Sequence, residues 1–306
     1  MNGILRGQVI AAFSRQYLVR LENSVELTCL TRGKKSEVVC GDRVEIKLTG
    51  SQTAEETAQG VIENILPRSS LLYRSDTFRE KLIAANVTQI IVVVAAEPSF
   101  SDELLARCLV AAYDQKIGVL IVLNKCDLAD AASAARKRLD PYRAIGYRIL
   151  EICAKEEQQS ALDRAENVDS LRPFLSGHAS VLVGQSGMGK STIINALLPG
   201  SRAATREIST ALDSGKHTTT YARLYRLDND SSLIDCPGVQ VFGLSHLSFG
   251  AIEEGFVEFE KYRGRCRFHD CHHTHEPDCA LRKAVSSGEI NARRFELFQQ
   301  ITAKSS

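Results

Sequence analysis

Eight consecutive residues, Gly184-Gln185-Ser186-Gly187-Met188-Gly189-Lys190-Ser191, have the types and spacing that a polyphosphate chain requires. Glycines let backbone N–H groups turn inward around phosphate oxygens, and a helix that starts at the end of the run adds the positive end of its dipole. The run follows the apolar segment Val181-Leu182-Val183 and opens the helical pattern Thr192-Ile193-Ile194-Asn195-Ala196-Leu197. That strand–loop–helix context separates a phosphate loop from a chance match. Residues Gly184 through Thr192 are therefore expected to hold the phosphates. Lys190 should reach the terminal ones, and Ser191 should ligate a Mg²⁺ ion.

A second cluster, Asn124-Lys125-Cys126-Asp127, closes the apolar run Val119 to Leu123. The end of such a strand is where ligands bind in open α/β sheets. A carboxylate at Asp127 can accept from both the ring N–H and the exocyclic amine of guanine. Adenine would leave that carboxylate buried and unpaired, which a hydrogen-bonding site penalises heavily. The expected ligands are GTP and GDP. Cys153-Ala154-Lys155 stands where a second guanine-contacting loop belongs, after a strand that ends at Ile152. Most GTPases place Ser-Ala-Lys there, so Cys153 is a departure; the base contact is expected from backbone N–H groups around Ala154. The guanine signature precedes the phosphate loop, the reverse of the ordinary GTPase order, and this makes the chain a circular permutation.

Asp235-Cys236-Pro237-Gly238 fits a switch element at a strand end. Asp235 is expected to hold Mg²⁺ through water, and the Gly238 N–H to meet the γ-phosphate. Upstream, Gly215-Lys216-His217-Thr218-Thr219-Thr220 offers a hydroxyl to the same ion, from Thr219 or Thr218. Val239 occupies the place where many GTPases carry the glutamine that orients water. Gln240 is one residue further on and points the other way in extended chain. Slow intrinsic hydrolysis follows, with a catalytic group from elsewhere. His217 is a candidate, and an ordinary solvent-exposed histidine is the rival reading.

Cys266, Cys271, His273 and Cys279 offer three thiolates and an imidazole, the ligand set of a closed structural zinc site. On spacing alone His269, His272 and His275 compete for the fourth place, with His272 disfavoured because adjacent side chains diverge. Lys261, Arg263, Arg265, Arg267, Arg282, Lys283, Arg293 and Arg294 lie around the cluster, enough for a phosphate-contacting face. A solvated surface is the plainer alternative. Removing the metal should unfold this tail locally.

The elements that must position these groups fall into three regions. Residues 1–66 read as short strands of a small closed β-barrel of the OB type, whose face and loops often bind RNA. Residues 67–245 alternate strands and helices in the manner of a doubly wound α/β domain, with near-continuous apolar runs at Gln89 to Ala95 and Val119 to Leu123. Residues 246–306 read as mostly helical around the Cys/His cluster. The chain has 306 residues, a formal net charge of +1 and nine cysteines. Nucleic-acid contact must then come from local patches and not from global attraction. The six cysteines outside the cluster (Cys29, Cys40, Cys108, Cys126, Cys153 and Cys236) read as reduced thiols of a cytoplasmic protein. Neither a signal peptide nor a membrane-spanning run is expected.

Taken together, the barrel with Arg32-Gly33 and Gly41-Asp42, the motif order, Gly215 to Thr220, Asp235-Cys236-Pro237-Gly238-Val239 and the Cys-x₄-Cys-x-His-x₅-Cys tail closely resemble one family. This is the RsgA/YjeQ family of circularly permuted GTPases that depend on the small ribosomal subunit. The resemblance spans nearly the whole chain and assigns the fourth zinc position to His273. It implies a GTPase acting late in small-subunit maturation, with hydrolysis stimulated by the subunit and coupled to departure. It also implies barrel and zinc domain contacts to ribosomal RNA. A monomer is expected. The rival readings are an RNA-binding or RNA-chaperoning module with incidental turnover, and a GTP-regulated switch with a protein partner. Because the switch residues run on into the zinc domain, loss of the γ-phosphate at Gly238 is expected to reposition that domain.

Overall fold

The computed structural model describes residues 4–13, 16–32, 37–49, 59–75, 80–154, 167–199, 222–236 and 242–305. Alternation of apolar and polar residues produces five strands in the first region: β1 (Leu5–Phe13), β2 (Gln16–Leu21), β3 (Glu26–Thr31), β4 (Arg43–Leu48) and β5 (Gln59–Ile65). They pair in the ring β1-β2-β3-β5-β4 and close through β4 back onto β1. Closure removes the free sheet edges that would otherwise invite aggregation. Val9, Val19, Leu27, Cys29, Val44, Ile46 and Ile62 fill the inside. A register shift between Val9 and Ala11 re-aims β1, so that Ile10 and Ala11 join a second, larger core.

A two-stranded hairpin, β6 (Leu71–Ser75) and β7 (Glu80–Ala85), follows the barrel. The α/β region is built on β8 (Gln89–Ala95), β9 (Gly118–Asn124), β10 (Arg148–Glu151), β11 (Ala179–Val183), β12 (Arg223–Arg226) and β13 (Ser232–Asp235). Strands β10, β9, β8, β11 and β13 are mutually parallel in that spatial order. β12 runs antiparallel to β13 and on its other side meets β1 at Ala11 and Arg223, so barrel and α/β sheet form one continuous 11-stranded sheet. All seven residues of β8 are buried, as expected for a strand covered on both faces.

Helices α1 (Asp102–Asp114), α2 (Ala129–Ala144), α3 (Arg172–Leu175) and α4 (Lys190–Leu197) connect the strands. Ser101 caps α1 by accepting from the Leu104 N–H at 3.2 Å. The last region carries α5 (Phe249–Glu254), α6 (Ala280–Ser286) and α7 (Ala292–Ser305). Its aromatic residues Phe256, Phe259, Phe295 and Phe298 belong to the same apolar core as α1 and β8. The third region thus shares its core with the α/β sheet, whereas the barrel interior forms a separate cluster and only its Ile10, Ala11, Leu18 and Cys40 reach the main core.

Gly41 and Asp42 fix the barrel to the segment that follows it, at Arg68 and at the end of the β6–β7 hairpin. A side chain at Gly41, which has φ +93°, would place Cβ 2.2 Å from the Ala85 carbonyl oxygen. Asp42 is fully buried and accepts from the Arg68 guanidinium at 2.7 and 2.9 Å and from the Val39 N–H at 2.8 Å. Asn86 donates to the Gly41 carbonyl at 3.0 Å.

Candidate nucleotide and metal sites

The parallel strands deliver the predicted loops to one edge of the sheet. β9 ends at Asn124, β10 leads into Cys153 and Ala154, β11 leads into Gly184, and β13 ends at Asp235. Between the first three loops lies a pocket of about 590 Å³. Asn124, Lys125, Asp127, Cys153 and Ala154 line one side; Ser186, Gly187, Gly189, Lys190, Ser191 and Thr192 line the other. Gly184, Gln185 and Met188 support the loop from behind. Gly184 lies so close to β8 that a Cβ would sit 2.3 Å from the Val93 carbonyl oxygen. Gln185 turns its side chain away from the pocket and accepts from the Ser101 N–H at 2.7 Å.

Asn124 is 2% exposed and braces all three loops. Its amide donates to the Met188 carbonyl at 2.9 Å, and its carbonyl oxygen accepts from the Ala154 N–H at 3.1 Å. The Ala154 N–H, expected to face the base, is engaged by Asn124 here. Asp127 is half-buried and accepts from the Cys153 thiol at 3.2 Å. Burial pushes the neighbouring Cys126 thiol up to about 12, which leaves it a buried, un-ionised group.

Lys190 bends back over its own loop and donates to the carbonyls of Gly184 and Gln185, at 2.9 Å to the latter. Its ammonium is shifted downward by burial, against the opposing pull of the Asp235 carboxylate. Those carbonyls hold the charge beside the loop, where a phosphate is the stronger partner. Asp235 stands in register with Leu182 on β11, next to the phosphate loop. Ser191 and Asp235 supply oxygens of the kind Mg²⁺ prefers. Lys155, His217, Thr218, Thr219 and Gly238 lie outside the described residues.

In the third region, one ligand atom each from Cys266, Cys271, His273 and Cys279 falls within 4.8 Å of all the others. His273 Nδ1 is 3.6, 3.4 and 3.2 Å from the Cys266, Cys271 and Cys279 sulfurs, and the Cys266 and Cys279 sulfurs are 3.9 Å apart. A tetrahedral zinc ion places neighbouring ligand atoms roughly 3.4 to 3.8 Å apart, so the residues present fit such an ion. His273 reaches inward because its backbone is left-handed, with φ 59°. His269, His272 and His275 are exposed and stay outside the cluster. Behind His273, its Nε2 faces the Glu253 carboxylate at 3.6 Å, the outer partner that orients ligating histidines. The loop is held by Glu276, whose carboxylate accepts from the N–H groups of His272, Thr274 and His275.

One member of the expected basic face is not on the surface. Arg294 is 2% exposed and paired with Glu258 at 2.7 Å, with its guanidinium 4.6 Å from the Phe256 ring centre and 5.0 Å from that of Tyr142 on α2. Lys283 and Arg267 both bond Asp278, while Arg265 and Arg282 are exposed. Sequence reasoning also passed over Glu253, Glu276 and the braces Asn124–Met188 and Gln185–Ser101, because none of these contacts has a sequence spacing that announces it.

Comparison with known proteins places this geometry. The family described as RsgA GTPase matches residues 65–245. A protein of Nitrosospira multiformis called small ribosomal subunit biogenesis GTPase RsgA is 53% identical over 98% of this chain and 90% of its own. One of the same name from Burkholderia pseudomallei is 48% identical over 98% and 92%. Among solved structures, YjeQ from Thermotoga maritima superposes with a TM-score of 0.71 at 30% identity, covering 99% of both chains. YloQ, described as a circularly permuted GTPase, gives 0.66 at 25% identity, covering 99% of this chain and 95% of its own. With its barrel, its permuted nucleotide loops and its Cys₃His cluster, this chain belongs to the RsgA GTPase family and is a GTPase.

Proposed function

We propose that this GTPase assists late maturation of the small ribosomal subunit, with hydrolysis stimulated by the subunit and coupled to release from it. The observation that carries the reading is the pocket in which the guanine motif of β9 faces the phosphate loop after β11, in a chain whose relatives are named for small-subunit biogenesis. Asp127 is assigned to the guanine edge, Asn124 to bracing the three loops, and Lys125 to the wall beside the base. Gly184 to Thr192 hold the phosphates, with Lys190 moving from its loop carbonyls to the β- and γ-phosphates. The Mg²⁺ ion that accompanies GTP neutralises charge on those phosphates when bound. Ser191, Thr219 and Asp235 are assigned to it, and the Gly238 N–H to the γ-phosphate. His217 is assigned to the water that attacks, because Val239 stands where an orienting glutamine would be.

Zinc is the metal assigned to Cys266, Cys271, His273 and Cys279; four protein ligands leave no open position, so its role is structural. The functional division of the chain is set near residues 66 and 245. The barrel and the zinc region, with exposed Arg265 and Arg282, are assigned to ribosomal RNA. The protein is proposed to work as a cytoplasmic monomer; among the described residues no helix is long and apolar enough to cross a membrane.

The test is GTP hydrolysis with and without purified small subunits. Strong stimulation is expected. No stimulation alongside tight RNA binding would favour an RNA chaperone with incidental turnover, and indifference to both would favour a switch with a protein partner. His217→Ala should cut the stimulated rate at least tenfold, about 1.4 kcal/mol of transition-state stabilisation, and leave GTP binding intact. An unchanged stimulated rate removes His217 from the mechanism.

A further inference from the structure

Asn124 braces the phosphate loop at Met188, but the other end of that loop leans on the chain between β8 and α1. Gln185 accepts from the Ser101 N–H at 2.7 Å, and a Cβ placed on Gly187 would lie 3.4 Å from the Pro98 ring. This supporting segment is in turn gripped by one side chain of α2. The Arg138 guanidinium donates to the Ser99 hydroxyl and, at 2.7 Å, to the Phe100 carbonyl. It also pairs with Asp102 at 3.1 Å and lies over the Phe100 ring, 3.9 Å from its centre. Serving several acceptors and a ring face at once is what a planar fork does and an ammonium does not. A groove of about 700 Å³, lined by Pro98, Phe100, Lys125, Leu128 and Ala131, lies between this segment and the first turns of α2. Arg138 lines the same groove and reaches from the helix to the segment. α2 begins at Ala129, two residues after Asp127 of the guanine motif. A connection therefore runs from the base-reading side through α2 and Arg138 to residues 98–101, and on to the phosphate loop.

We propose that Arg138 is a positioning residue for nucleotide binding, which sets the separation between the guanine half and the phosphate half of the pocket. A ligand that engages two sites at once gains affinity only when its span matches theirs. Guanosine diphosphate is such a ligand, with its base at the loop after β9 and its phosphates at the loop after β11. Held by Asn124 alone, the phosphate loop is tied to the base side at one end and free to tilt about it. A second tie at Gln185 and Gly187 removes that freedom. The bonds that make this tie are strong ones, because their donor is charged. The proposal rests on the reading of Asp127 as the guanine acceptor and of Gly184 to Thr192 as the phosphate cradle.

The experiment compares full-length wild type with Arg138→Met, which keeps an unbranched stem over Phe100 and removes the donors, and with Arg138→Lys, which keeps the charge and loses the fork. Dissociation constants for GDP, guanosine and inorganic pyrophosphate are measured by competition against a fluorescent GDP analogue. Arg138→Met is expected to weaken GDP about tenfold, while guanosine and pyrophosphate, each touching one half only, stay within about twofold. Arg138→Lys should show the same pattern with a smaller loss for GDP, and it carries the comparison if the methionine variant folds poorly. An unchanged GDP constant in both variants overturns the proposal. So does a loss in equal proportion for all three ligands, the pattern of a purely structural role or of a partly misfolded sample. Asp127→Ala is the control on the underlying reading: it should remove guanosine competition and spare pyrophosphate. If guanosine still competes, the assignment of the two halves fails, and this failure is distinguishable because the Arg138 variants leave guanosine binding unchanged.

Discussion

At Gly189 a single hydrogen atom separates a working phosphate loop from a distorted one. The residue has φ +90°, and a Cβ there would lie 2.2 Å from Asn124 Nδ2, the atom that holds Met188. Gly189→Ala must therefore displace either the loop or the brace, in addition to the roughly 1–2 kcal/mol that an L-residue incurs in left-handed backbone. We expect GDP affinity to fall at least tenfold in a fluorescence titration. The melting temperature should change by only a few degrees, since the strands beneath the loop are untouched. Wild-type affinity in this variant would mean that Asn124 does not set the pocket's width. The residue types of the site were legible in the sequence because phosphate and guanine chemistry admit few alternatives. Their supports were not. Asn124 to Met188 spans 64 residues and Gln185 to Ser101 spans 84, distances along the chain at which no periodicity or motif spacing operates. His273 shows the same limit at short range, because its choice over His269, His272 and His275 depends on a left-handed backbone that four nearby histidines do not reveal.

At the scale of elements, α7 anchors the third region. Its Arg294 pairs with Glu258 and stacks toward Tyr142, while Lys304 near its end bonds Glu103 on α1 at 2.9 Å. Arginine is seldom buried, so its expected place was on the outer basic face; only the packing of α7 against α1 and α2 turns it inward. The β6–β7 hairpin also escaped the sequence reading, since two short strands outside the barrel carry no pattern that distinguishes them from its connections. The buried pair makes a sharp prediction. Arg294→Met leaves the Glu258 carboxylate buried without its partner and should destabilise the fold by about 3–5 kcal/mol. Adding Glu258→Gln should recover much of that loss, as chemical denaturation would measure. A double variant no better than the single one would show that ring stacking, not charge, is what Arg294 contributes. The metal acts on a smaller scale. Because Phe256, Phe259 and Phe298 bind this region into the main core, a chelator should raise hydrogen exchange in residues 264–279 and leave α7 protected. Global unfolding on chelation would instead make the metal the keystone of the region.

For the whole molecule, what matters is which attachment lies beside which half of the nucleotide site. The sequence order, with the switch running on into the metal region, suggested that this region moves when the γ-phosphate is lost. The structure distributes the attachments differently. β12 begins four residues after Thr219 and pairs with β13, which ends at Asp235; its other edge meets β1 of the barrel. Cys236, next after Asp235, is 2% exposed; burial pushes its thiol up, and Cys40 of the barrel joint lies close enough to add to that shift. The metal region instead rests on α1 and α2, the helices around the base-reading strand. A Cβ at Gly255 would lie 2.8 Å from Val110 Cα, Arg293 reaches Asp102, and Arg294 lies over Tyr142. The chain leaving the switch is also pinned early, with Phe242 1% exposed and its carbonyl accepting from Arg107 on α1 at 3.4 Å. Motion of the γ-phosphate-sensing strands should therefore pass to the barrel, while the metal region stays with the base-reading half as one body. Site-specific fluorophore pairs between Val25 and Asp130, and between Ser286 and Asp130, all exposed, separate the two possibilities. Exchanging GDP for a non-hydrolysable GTP analogue is expected to change transfer in the first pair and leave the second nearly constant. The reverse pattern would return the lever to the metal region and make the continuous sheet between barrel and nucleotide site a passive join.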